Sequence, residues 1–257
     1  TRLLSGLYNT LFKPDVSLNT SRRQFLDSLL LGVAGLPFIA FIYGMVKTAY
    51  DYQVWKVSVP IKDLPEALDG LTIAQVSDIH SGSFSETESL IEAVKVINDL
   101  KPDIFVFTGD LVNNKAKEFE PYLDTFKDIK AKYGQFSILG NHDYGDYVKW
   151  GSDELKRQNF ERLKEHHKTV NWDILCNENR VLDIKGEQLA LIGVENWSAK
   201  GFTTHGNLNK ASKGTENIFT KVLLSHDPSH WDAQIRKGFK GIQLTLSGHT
   251  HGMQFGV

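Results

Sequence analysis

The sequence predicts an α/β-type fold, a largely parallel sheet carrying helices, preceded by one apolar span. Three observations point there. From Leu71 onward, short apolar runs alternate with stretches of helical spacing. Most of those runs end in small polar clusters beside glycine. One uncharged run, residues 28–46, stands apart from everything after it. Alternating strands and helices are what β-α-β units on a parallel sheet produce. With 257 residues, 41% hydrophobic and 23% charged, the chain suits one large domain or two small ones. A net charge of -2 gives no global electrostatic case for nucleic acid. The single cysteine, Cys176, excludes both a disulfide framework and a Cys-rich zinc site. Thr1 in place of Met, and a motif running up to Val257, read as a piece of something longer at both ends.

Residues 1–20 are a mixed flank. Ser21-Arg22-Arg23-Gln24-Phe25-Leu26 then leads into the apolar run, which is long enough for a helix across a bilayer core of about 30 Å. Gly32, Gly35 and Pro37 are costly in a soluble helix and common in a membrane one. A buried core helix is the alternative, and an all-round apolar surface argues against it. The Ser-Arg-Arg-x-Phe-Leu string resembles a twin-arginine export signal. Lys47-Thr48-Ala49-Tyr50 makes a poor cleavage site, so residues 21–47 are expected to stay as an anchor. Arg2, Lys13, Arg22 and Arg23 precede the span, against Lys47, Lys56 and Lys62 after it. That balance favours a cytoplasmic N-terminus and a domain at 54–257 outside the cytoplasm.

Val54–Val59 alternates weakly and reads as an edge strand ended by Pro60. Leu71–Ser77 reads as a strand, and Glu86–Leu100 as a helix with Leu90, Ile91, Val94 and Ile97 on its inner face. Ile104–Phe107 is a buried strand, Phe119–Lys132 a second helix and Phe136–Leu139 a third strand. Asp153–Lys168 is a charged helix carrying Leu155, Phe160 and Leu163. Arg180–Ile184 and Gln188–Ile192 form a hairpin around Lys185-Gly186-Glu187. The stretch 193–214 reads as an irregular loop, Phe219–Leu224 as a strand, Trp231–Lys237 as a short helix and Ile242–Leu246 as the last strand.

The C-terminal ends of the strands hold the chemistry. Asp78 and His80 follow the first, Gly109-Asp110 the next, and Gly140-Asn141-His142-Asp143 the third. His226 and Gly248-His249-Thr250-His251 follow the last two. In open α/β sheets that edge forms the ligand crevice. Asp78 and His80, two apart on an extended chain, share a side. Carboxylate oxygens and imidazole nitrogens aimed at one point suit a divalent metal.

These motifs, in this order, resemble the calcineurin-like metallophosphoesterase family over about Val54–Val257. The arginine pair, the apolar span and Ser225-His226-Asp227-Pro228 make the chain most similar to its membrane-associated bacterial branch. That branch includes phosphodiesterases and lipid-precursor pyrophosphate hydrolases. The resemblance implies an α+β (α/β-like) fold, a four-layer β-sandwich flanked by helices. Further strands of the family pattern would lie beyond Val257. It implies two divalent ions, of Mn, Fe, Zn, Co or Ni. Asp78, His80, Asp110 and His251 would hold one; Asp110, Asn141, His226 and His249 would hold the other. Asp110 would offer a separate oxygen to each ion, and the Asn141 amide would donate to phosphate.

The resemblance makes His142 the proton donor or transition-state stabiliser, and Asp143, which follows it, is expected to orient its imidazole. Gly109, Gly140 and Gly248 are expected to let the backbone turn sharply. The family commonly has Gly-Gly where Gly252-Met253 stands here. His166 and His167 read as a solvated face, and His205 and His230 as non-ligands. Trp197 and Phe202 read as anchors of a loop more than as a substrate groove. The implied activity is two-metal hydrolysis of a phosphate ester or pyrophosphate, with metal-activated hydroxide attacking phosphorus. Expected partners are a phosphorylated small-molecule or lipid-linked substrate and the membrane, without nucleic acid. A metal-binding but inert scaffold, or a nuclease-like phosphodiesterase, are the alternatives.

Overall fold

The computed structural model describes residues 20–46, 51–84, 86–199, 201, 203–239 and 241–251. The expectations placed on 1–19, 47–50, Phe202 and 252–257 lie outside these. The chain forms two units, Thr1–Lys56 and Val57–Val257. In the first, helix α1 spans Thr20–Val46. Its stretch Arg22–Gly44, 23 residues with mean hydropathy 2.1, is long and apolar enough to cross a membrane. None of that stretch is buried.

The second unit is built on two four-stranded sheets. The first holds β1 (Ile73–Val76), β2 (Ile104–Phe107), β3 (Gln135–Ser137) and β4 (Asp173–Ile174), all parallel and in that order. The second holds β5 (Glu178–Ile184), β6 (Glu187–Gly193), β7 (Thr220–Leu224) and β8 (Leu244–Leu246). Here β5 and β6 form an antiparallel hairpin, while β7 and β8 continue parallel to β6. The hairpin turn places Lys185 and Gly186 at φ 55 and 89. Two consecutive left-handed residues match the right-handed twist of the flanking strands.

Three cores define the layers. Phe105 and Phe107 of β2 face one cluster, with Leu90, Val94 and Ile97 of helix α2 (Glu88–Asp99) and with Trp172. Ile104 and Val106 face the other way, onto Leu189 and Leu191 of β6 and Val222 and Leu224 of β7. Ala190, Ile192 and Leu223 pack outward against Leu208 and Ile235. Helix, sheet, sheet, helix is the four-layer order that the resemblance implies. A strand buried on both faces shows no alternation, which explains the unbroken Ile-Phe-Val-Phe run of β2.

Four expectations change. Val54–Val59 takes no strand pairing among the described residues, and Trp55 and Val57 are 87% and 80% exposed. Ile91 is 55% exposed, because Leu90, Val94 and Ile97 complete the buried stripe of α2 without it. The helix expected over Phe119–Lys132 shrinks to α3, Leu123–Phe126, after two short 3-10 turns. Pro121 restarts the chain at the second turn, and beyond α3 the Asn98 side chain captures both Asp128 O and Lys130 N–H. Those contacts divert the backbone from continued helix.

The fourth change concerns helix α4, Asp153–Thr169, capped by the Ser152 hydroxyl. His166 and His167 are buried, not solvated, because they share the inward stripe of Leu163. His167 Nδ1 lies 2.9 Å from Ser137 Oγ, and its ring packs on Phe107 and Trp172. The two-residue β4 is too short to leave a periodic signal. Among the described residues of 193–214, helix α5, Leu208–Ala211, is capped by Asn207. A π-helical turn at Trp231–Ile235 runs into helix α6, Arg236–Gly238.

Burial pushes the His167 pKa down to about 3. The unfolded chain therefore takes up a proton at this residue near pH 6.5 that the folded chain refuses. Stability falls as pH drops from there, by about 1.4 kcal/mol per unit from this group. His167→Gln is expected to flatten the pH dependence of urea unfolding between pH 6 and 4. An unchanged slope would count against the buried neutral imidazole.

Candidate metal centre

The ends of β1, β2, β3, β7 and β8 converge. Two of them, the ends of β1 and β2, are joined by three backbone bonds: Asp78 N–H donates to Gly109 O, His80 N–H to Asp110 O and Ser81 N–H to Leu111 O. Asp78, His80, Asp110, His249 and His251 all adopt left-handed backbone, with φ of 54, 46, 60, 70 and 49. Each such residue costs about 1 kcal/mol or more, and outliers of this kind gather at functional sites. Asp78 and His80 therefore converge through two tight turns, not through an extended chain. Among the three glycines, only Gly109 needs positive φ, at 99. Gly140 is required for space instead, since a Cβ there would sit 2.2 Å from Asp110 Oδ1.

Asp110, buried to 1% exposure, is the common member. Its Oδ2 lies 3.1 Å from His226 Nε2 and 3.6 Å from His80 Nε2. Its Oδ1 accepts the His142 backbone N–H at 2.9 Å. The two imidazoles thus face one carboxylate oxygen, where a separate oxygen for each ion was expected. Asp78 Oδ1 lies 3.4 Å from His251 Nε2, and the His80 and His251 rings stack at 5.0 Å. His249 meets the His226 ring edge-on at 5.1 Å. Three groups bring their donor atoms within 4.8 Å of one another: Asp78, His80 and His251; His80, Asp110 and His142; and Asp110, His226 and His249. His142, expected outside the ligand set, is in one of them.

The donors fit a divalent cation. His80 Nε2, His226 Nε2 and Asn141 Oδ1 are buried without a hydrogen-bond partner. Their other ends are engaged: His226 Nδ1 on Thr108 O at 2.7 Å, His80 Nδ1 on Asn113 Oδ1 at 3.1 Å, and Asn141 Nδ2 on the Tyr147 hydroxyl at 2.8 Å. A carbonyl against Nδ1 holds the proton there and leaves the Nε2 lone pair for a metal. Burial lowers the pKa of His80, assisted by His142 and His251. Burial likewise lowers that of His249, assisted by His226. Burial alone would lower His226 too, but the adjoining Asp110 carboxylate raises it to about 9. Burial works against ionised Asp110, yet His226 and the His142 N–H hold its carboxyl below the ordinary range. Ligation requires deprotonated carboxylates and neutral imidazoles, so a cation at His226 would have to displace the proton that Asp110 holds there.

Asp143 has a different role from the one expected. Its carboxylate accepts the backbone N–H groups of Asp110, Leu111 and Gly140 at 2.9, 2.8 and 2.8 Å, and does not touch the His142 imidazole. Burial and then the Asp110 charge push its pKa up to about 7, opposed by the Gly140 and Leu111 N–H groups. The His142 imidazole is oriented by Asn113, whose carbonyl lies 2.8 Å from Nδ1. One of the two Asn141 amide N–H donors goes to the Tyr147 hydroxyl.

Asn113 and Tyr147 were missed, and neither residue type marks itself at that spacing. Asp227 is a third, 3.9 Å from His249 Nε2 and bonded to the Ser198 hydroxyl. His205 stacks on Tyr144 and His230 bonds Ser225 and Gln234, so neither joins the metal groups. Trp197 stacks on His230 at 4.4 Å, an anchoring contact.

Carboxylates, imidazoles and an amide carbonyl gathered at the parallel strand ends of a four-layer domain define a metal-dependent hydrolase class. The chain belongs to the calcineurin-like phosphoesterase family, whose model matches residues 71–253. It is 31% identical over 218 residues to a zebrafish (Danio rerio) protein named "Transmembrane protein with metallophosphoesterase domain", covering 83% of this chain and 47% of that one. It is 29% identical to the Bacillus subtilis "Uncharacterized metallophosphoesterase YkoQ", covering 88% of this chain and 78% of that one. A Caenorhabditis elegans "Putative metallophosphoesterase F40B5.2" is 30% identical over 90% of this chain and 46% of its own length. The chain spans about half the length of the zebrafish and nematode relatives.

Asp143→Asn would set an amide NH2 against backbone N–H donors at the junction of two loops. It is expected to cost about 2–3 kcal/mol in denaturant unfolding, while His142→Ala costs about 1 kcal/mol or less. Equal effects from the two variants would refute the bracing role of Asp143.

Proposed function

We propose that this chain hydrolyses phosphate esters or pyrophosphates with two divalent ions, on a domain anchored to a membrane by α1. The observation that carries this reading is Asp110 Oδ2 lying between two imidazole Nε2 atoms that lack any other partner. Asp78, His80, Asp110 and His251 would hold one ion, and Asp110, Asn141, His226 and His249 the other. Such a pair, when bound, supplies an activated hydroxide and neutralises phosphoryl charge. The chain's own contribution is orientation and proton transfer. Asn113 holds His142 by Nδ1, which leaves Nε2 to deliver a proton to the leaving oxygen. A positioned histidine of this kind is worth about 10²–10⁴ in rate. Asp143 keeps the Asp110 and Gly140 loops in register, so its part is structural.

A phosphorylated small molecule or a lipid-linked phosphate is the substrate class we favour. The apolar α1 and the zebrafish relative's name support work at a membrane. The arginine pair at the start of α1 supports export of the domain to the extracytoplasmic side. A formal charge of -2 speaks against a nucleic-acid substrate.

The test is hydrolysis of p-nitrophenyl phosphate and bis(p-nitrophenyl) phosphate by the full chain in detergent. Activity should vanish with EDTA and return with Mn²⁺. Asp110→Asn should lose at least about 10³-fold, and His142→Ala about 10²–10⁴-fold. Metal retained without turnover of either ester would overturn the enzymatic reading in favour of a metal-binding scaffold.

A further inference from the structure

Tyr147 has no task in the reading above, yet it touches two of that site's residues. Its hydroxyl oxygen is 2.8 Å from Asn141 Nδ2, and its ring lies 4.5 Å from the His142 ring at 34°. The residue is 49% exposed, whereas Asn141 beneath it is 6% exposed. It therefore stands between solvent and the buried donors.

The two ends of an amide are not equivalent toward a cation. The carbonyl oxygen can face positive charge and the NH2 group cannot. A phenol can either accept from the NH2 or donate to the carbonyl, and only the first leaves the carbonyl for a metal. The structure shows the first, with Asn141 Oδ1 buried and without a hydrogen-bond partner. Because the Tyr147 oxygen accepts, its own O–H proton must point away from Asn141. The direction of the hydrogen-bond chain follows: carbonyl toward the metal position, amide N–H to phenol, phenol O–H outward.

We propose that Tyr147 is a positioning residue that turns the Asn141 carbonyl into the metal site and offers its own proton to a non-bridging phosphoryl oxygen of the substrate. The inference rests on the metallophosphoesterase reading above. Against His142, the ring limits imidazole tilt that the single Nδ1 contact to Asn113 leaves free. Tyr147→Phe removes the hydroxyl and keeps the ring; Tyr147→Leu removes both.

The experiment titrates the metal-free full chain in detergent with Mn²⁺ by calorimetry, for wild type, Tyr147→Phe and Tyr147→Leu. Groups behind a metal ligand typically contribute 10–100-fold in affinity. Tyr147→Phe should weaken one Mn²⁺ site by about tenfold or more, leave the other unchanged and leave the melting temperature of the metal-free protein unchanged. At saturating Mn²⁺, orthovanadate should inhibit that variant about tenfold more weakly, as loss of a hydrogen bond to a charged oxygen predicts. Tyr147→Leu should lower kcat further than Tyr147→Phe at similar Mn²⁺ affinity. Mn²⁺ affinities within twofold of wild type at both sites would overturn the positioning role. Equal vanadate inhibition would overturn the proton offered to phosphoryl oxygen. If wild type binds Mn²⁺ but hydrolyses neither ester, the parent reading fails while the Mn²⁺ titration still decides the role of Tyr147.

Discussion

A buried carboxylate that accepts three backbone N–H groups joins the loops of this site. Asp143 accepts the backbone N–H groups of Asp110, Leu111 and Gly140, and so bonds the turn after β2 to the turn after β3. Strand ends in a parallel sheet leave their last backbone groups unpaired, and buried unpaired groups are costly. A short carboxylate with two oxygens answers several of them at once. The consequence is positional. Asp110 and Asn141 come from different loops, yet they are fixed beside the same point.

Around that brace the molecule accepts local costs. Five donor residues sit in left-handed backbone, and Asp110 lies close to a second buried carboxylate. His226 answers part of this charge by holding its proton well above the ordinary histidine range. Cations would answer it more fully, which is the physical sense of burying such a cluster. The imidazoles are already turned for that purpose. Main-chain and amide carbonyls occupy Nδ1 of His226, His80 and His142, so each Nε2 is left for the crevice.

The loops decide what surrounds the reacting centre. Tyr147 rests on His142 and Asn141, and Trp197 stacks on His230, behind the His226 turn. Ser198 and Asp227 join that turn to the 193–214 stretch, and Thr203 bonds Asp146 across from it. Apart from those of Tyr147, these contacts join residues 29 or more positions apart in the chain. Contacts at such separations are silent in any motif.

The sequence by itself determined the alternation of strands and helices from Leu71 onward, the donor types and their places at strand ends. Apolar runs such as Ile104–Phe107 and the polar cluster after each of them are local features, and local chemistry is legible in one dimension. It also marked α1, because an uncharged run needs no partner to be recognised. Only the tertiary structure decided where His166 and His167 go, since helical charge near them hides a stripe shared with Leu163. It alone showed that Asp143 braces loops instead of orienting His142, because its partners Asp110 and Leu111 are more than thirty residues away. It alone showed that the His80 and His226 imidazoles face one oxygen of Asp110, while the other accepts a backbone N–H from a different loop. Side-chain identity names a ligand; which atom of it stays free depends on neighbours that only folding supplies.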